Sequence, residues 1–77
     1  MREFIEGILA SYDAAIERLQ AIQDANTALV LSINQRTIAE PANYQERMIL
    51  ARENQRELQR LRATRAYFEV TYLIPLL

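Results

Sequence analysis

Thr37-Ile38-Ala39-Glu40-Pro41-Ala42-Asn43 is the stretch that decides the fold of this chain. Glycine occurs once and proline twice in 77 residues, so places where the backbone can reverse are scarce. Pro41 cannot sit inside a helix without losing a hydrogen bond, and it biases Glu40 away from helical geometry. Asn43 followed by Glu46 has the spacing of a helix N-cap and its capping-box partner. A start with Pro41 at the first helical position is the alternative. The segment therefore reads as one turn between two helices.

On its N-terminal side, residues at spacings of three and four read Ile5, Ile8, Tyr12, Ala15, Leu19, Ile22, Asn26, Leu29, Ile33, Arg36, apolar except for Asn26 and the terminal Arg36. This is a heptad seam of four to five repeats. A flanking column of Leu9, Ile16 and Val30 widens the stripe towards the broader face of a bundle helix. Gly7, Ala14, Ala21 and Ala28 place a small residue at every seventh position, where a further helix has room to approach. On the C-terminal side a second helix runs to about Ala66. At 1.5 Å per residue the helices are about 50 and 40 Å long, and a short connection sets them antiparallel.

A turn centred on residue 40 makes facing residues sum to about 80. That rule pairs Leu29 with Ala51, Ile22 with Leu58, Leu19 with Leu61, Tyr12 with Phe68 and Ile8 with Tyr72, all apolar. Asn26 falls opposite Asn54, and two asparagines inside an apolar seam can satisfy each other and set the register. The expected organisation is an all-α, coiled-coil-like antiparallel two-helix hairpin over residues 1–66. Its first helix covers about 2–37, the turn about 38–42 and the second helix about 43–66. A short apolar tail, 67–77, follows.

That tail, Tyr67 to Leu77 (YFEVTYLIPLL), holds eight large apolar or aromatic side chains and one charge, Glu69. A continued helix places Phe68 and Tyr72 on the seam and turns Val70, Leu73 and Ile74 outward. An extended form from about Val70 suits its β-branched and aromatic composition, and folding back over the first helix is a third form. Small chains bury only about 60% of their unfolded surface, so oligomerisation or a partner is expected to complete the fold. The candidate partner-facing residues are Leu9, Ile16, Val30, Met48 and Ile49, together with Val70, Leu73, Ile74, Leu76 and Leu77 of the tail.

The composition argues against catalysis. Histidine, cysteine and lysine are all absent, and with them the usual general bases, covalent nucleophiles and transition-metal ligands. Small chorismate mutases build a helical site from arginines and a lysine; this chain resembles them only in having arginines on helices. The carboxylate pairs Glu53/Glu57 and Asp13/Glu17 have arginines within reach and read as ion-pair faces. No catalytic residue, cofactor or metal site is expected.

Charge is near balance at −1 but unevenly placed. Residues 1–40 carry six acids and three arginines, a net −3; residues 41–77 carry six arginines and four acids, a net +2. Arg52, Arg56 and Arg60 form an i, i+4 ladder that can follow a phosphate backbone. Glu53 and Glu57 beside it, the overall charge and the lack of interleaved aromatics argue against nucleic acid. The basic helix is instead expected to pair with the acidic one. The tail is too short to span a bilayer, and no signal-peptide pattern opens the chain, so a cytoplasmic place or one within a large assembly is expected.

The hairpin outline over residues 1–66 resembles the small co-chaperones that hold needle subunits in type III secretion, and equally small accessory subunits of phage and other large particles. The resemblance is one of architecture and transfers no residue. The expected role is a non-enzymatic assembly or interaction subunit, for example of a virion or secretion-type particle. The alternatives are a small chaperone or adaptor that masks an apolar segment, and an arginine-dependent nucleic-acid or regulatory binder.

Overall fold

A computed structural model describes residues 1–35, 42 and 44–77. The Pro41 turn, the Asn43 cap and the end of the seam at Arg36 lie outside the described residues. Helix α1 spans Arg2–Asn34 and helix α2 spans Tyr44–Phe68. A π-helical turn, Glu69–Leu73, and a 3-10 turn, Ile74–Leu76, continue α2 without a break in helical sense. Among the described residues there is no strand. The tail is thus helical, and the extended form does not occur.

The two helices form a hairpin 53 Å long and about 16 Å across. Side-chain pairs tie them together along its length: Tyr44 Oη donates to Asn34 Oδ1 at 3.0 Å, Arg62 to Gln20 Oε1 at 2.5 Å, and Arg65 Nε to Asp13 Oδ1 at 2.6 Å. The rings of Tyr12 and Phe68, expected to face each other, lie 5.9 Å apart between centroids. Of these contacts, Arg65–Asp13 is the one that joins a basic residue of α2 to an acidic residue of α1.

The core is thin. Only Ile5, Leu9, Ile33 and Leu58 are buried apolar residues among those described, with Leu58 wholly enclosed at 0% exposure. Their positions show how α1 is rotated. The column Ile5, Tyr12, Leu19, Asn26, Ile33 faces α2, and its neighbour Leu9, Ile16, Gln23, Val30 is turned inward beside it. The opposite neighbour is more open, with Ile22 50% exposed. The two residues expected to face each other, Ile22 and Leu58, are thus unequally buried: Leu58 is fully enclosed and Ile22 stands at the edge of the seam.

Two polar side chains on the inward face explain how it tolerates them. Gln23 Nε2 donates to the carbonyl of Ala51 at 3.0 Å, and Asn26 Nδ2 donates to the carbonyl of Arg47 at 3.2 Å. Each carbonyl has a second lone pair, so it can accept this bond as well as one within its own helix. The expected Asn26–Asn54 pair does not form. Asn26 reaches backbone nearer the turn, while the side chain of Asn54 is half-buried and makes no hydrogen bond among the described residues.

Candidate interaction surfaces

Two groups of exposed apolar residues stand out among the described residues. One is at the open end of the hairpin, where the start of α1 and the end of the chain meet. Met1 and Phe4 are exposed there, as are Tyr67, Val70, Ile74, Leu76 and Leu77, the last by 74%. Val70, Ile74, Leu76 and Leu77 thus lie where a partner can reach them. Leu73 does not follow: it is half-buried. The reason is the π turn, in which the Ile74 amide donates to the Glu69 carbonyl, five residues back. That spacing departs from the regular α-helical turn on which the outward placement of Leu73 is based.

The end is ordered by an aromatic cluster and an ion cluster. Phe68 stacks in tilted fashion on Tyr12 and, at 5.3 Å, on Tyr72, while Tyr67 meets both Phe68 and Tyr72 edge-on. These offset and edge geometries are the favoured ones for aromatic pairs. Arg65 bonds Asp13 across the hairpin and Glu69 one turn ahead in the π segment. The Asp13 and Glu69 carboxylates hold the Arg65 guanidinium above its usual pKa, against the effect of desolvation. One arginine thus clamps α1, α2 and the π turn at the point where the aromatic cluster begins.

The second surface is a shallow apolar groove of about 430 Å³ in the half of the rod nearer the turn, lined by Ile22, Ala25, Asn26, Leu29, Arg47 and Leu50. Ile22 and Leu50 are half exposed on its walls. Asn26, from the helix–helix seam, forms part of its floor.

The other expected partner-facing residues divide. Leu9 is corrected: at 4% exposure it is part of the hairpin core and open to no partner. Ile16, Val30 and Met48 are half-buried, and Ile49 is exposed. Gln23, the one polar residue in the column Leu9, Ile16, Gln23, Val30, hid the inward rotation of that column from a sequence reading. Gln23 and Arg65 are the structurally important residues that the sequence reading passed over. A signal for Arg65 exists, since Ala51, Leu58, Arg65 and Tyr72 share one heptad column.

Within the arginine ladder, Arg60 donates to Glu57, its Nε at 2.9 Å, and this bond pulls the Glu57 carboxyl below its usual pKa. Arg52 and Arg56 are exposed and make no ion pair among the described residues. Glu53, beside the ladder, likewise makes no ion pair among the described residues. Among the described residues, no group of three or more His, Cys, Asp or Glu is placed to hold a metal ion. No described helix is long and apolar enough to cross a membrane.

Compared with known protein families, curated proteins and solved structures, the chain matches none of them.

Proposed function

We propose that this protein is a non-enzymatic helical interaction subunit that joins a larger assembly through the apolar open end of its hairpin. The observation that carries this reading is the exposure of Val70, Ile74, Leu76 and Leu77 beside Met1 and Phe4 at one tip of the rod. Contiguous apolar patches of this kind on small proteins mark interaction sites. The tip is also held in shape by the Arg65 clamp and the aromatic cluster, so docking there costs little ordering entropy.

The test compares the full chain with a variant carrying Val70→Asp, Ile74→Asp and Leu77→Asp, all at exposed positions. The native chain is expected to bind a hydrophobic fluorescent dye and, at high concentration, to form species larger than a dimer. The variant is expected to lose both while keeping its far-UV helical signal. If the native chain binds no dye, or the variant associates as the native chain does, the reading fails. A chaperone or adaptor is distinguished by native protein that stays soluble only when co-expressed with a partner. Salt-dependent binding of DNA or RNA, lost on replacing Arg52, Arg56 and Arg60, counts against both.

A further inference from the structure

We propose that the groove face of the hairpin packs against the same face of a second copy, giving a four-helix dimer. This rests on the assembly reading above only in treating exposed apolar surface as interface, and it concerns a different surface from the tip.

The argument begins with area. A compact monomer of 9.0 kDa exposes about 4900 Å², whereas this hairpin exposes 5760 Å². The surplus, about 900 Å², is close to the roughly 800 Å² that each partner buries in a standard stable interface. Shape gives the same answer. A compact chain of this length has a radius of gyration of about 11–12 Å; the hairpin has 17.0 Å. It is half of a packed layer structure, and a second hairpin laid alongside supplies the missing half.

The groove is suited to receive it. Its floor includes Asn26, which belongs to the helix–helix seam, so a partner seated there extends the existing core rather than starting a new one. Its walls, Ile22 and Leu50, are half exposed, and Ala25 between them is small. A patch that carries both projecting side chains and space beside them can complement itself, as a two-fold interface requires. A second copy is also the one partner available wherever the chain is made.

The test is sedimentation equilibrium on the full chain, on Ile22→Glu/Leu50→Glu, and on Leu31→Glu as a control on the outer face. The native chain and the control are expected at twice 9.0 kDa, and the groove double variant at the mass of one chain under the same conditions. The melting temperature of the native chain is expected to rise with protein concentration, as linkage between folding and association demands. That readout holds even if the double variant unfolds. A cysteine placed at Ala25 in this cysteine-free chain is expected to give a covalent dimer on mild oxidation faster than one placed at Leu31. A native chain of 9.0 kDa with a concentration-independent melting temperature overturns the proposal. So does a groove double variant that keeps the dimer mass. If the Val70/Ile74/Leu77 variant dissociates the dimer and the groove variant does not, the dimer proposal falls and the tip reading stands.

Discussion

Asn26 on α1 donates its side-chain amide to the backbone carbonyl of Arg47 on α2, 3.2 Å away, and is only 8% exposed. Three residues earlier, Gln23 makes the equivalent bond to Ala51, leaving its own Oε1 buried without a protein partner. Both bonds run from side chain to backbone, so they prescribe helix separation and height without prescribing a partner side chain.

Replacing Asn26 by leucine removes a buried amide and leaves behind only a carbonyl that can keep its helical bond. Asn26→Leu is expected to raise stability by about 1 kcal/mol, and Gln23→Met to do so by a similar amount, since it removes an unsatisfied acceptor. Urea unfolding followed by circular dichroism measures both. The accompanying loss should be specificity of register, visible as broader amide spectra at unchanged helicity.

Leu58 and Ile22 provide a contrast in burial, the first at 0% exposure and the second at 50%. Leu58→Ala is expected to cost about 2–5 kcal/mol, enough to unfold a chain with so small a core. Ile22→Ala is expected to cost about 1 kcal/mol or less when measured on dissociated chains. Equal costs at the two positions contradict the observed rotation of α1.

Arg65 bridges Asp13 and Glu69 while its side chain remains 30% exposed. A double-mutant cycle on Asp13→Asn and Arg65→Gln is expected to return a coupling of about 0.5–1 kcal/mol, reduced at 1 M salt. The guanidinium pKa is raised, so this contribution is fully present at all pH below arginine's unfolded value and is lost only above it. It is therefore constant across neutral pH on the arginine side.

Glu57 has the opposite sign. Its carboxyl is pulled down by the Arg60 hydrogen bond, so the stabilisation is present above the unfolded carboxylate pKa and is lost as pH falls through the lowered folded value. Glu57→Gln is expected to flatten the acid limb of the melting-temperature profile slightly, because the Arg60 and Glu57 side chains remain 67% and 42% exposed and solvent screens the pair. A carbon-13 titration of the Glu57 carboxyl checks the direction independently.

Much of the hairpin is legible in the residues. Sustained three–four spacing from Ile5 to Ile33 requires a long helix, and the scarcity of glycine and proline leaves few places to turn. The Tyr12–Phe68 contact also follows from simple antiparallel counting. The reading failed where polar residues enter the seam. Gln23 made its column look like surface and Ile22 made the other look like core, yet the first faces inward, because a glutamine long enough to reach a backbone carbonyl can be accommodated. Asn26 and Asn54 looked like a matched pair, but the side chain of Asn26 found a carbonyl nearer the turn.

By itself, then, the sequence determined an all-helical chain and the kind of surface each segment carries, because spacing and composition act locally. Three things depended on tertiary structure: the rotation of α1 about its axis, the burial of Leu9, and the π turn at Glu69–Leu73 with the half-burial of Leu73. Each depends on which of several nearly equivalent contacts is made between helices, and such a choice is set by packing and hydrogen-bond geometry across the hairpin, not by the pattern along either strand of the sequence.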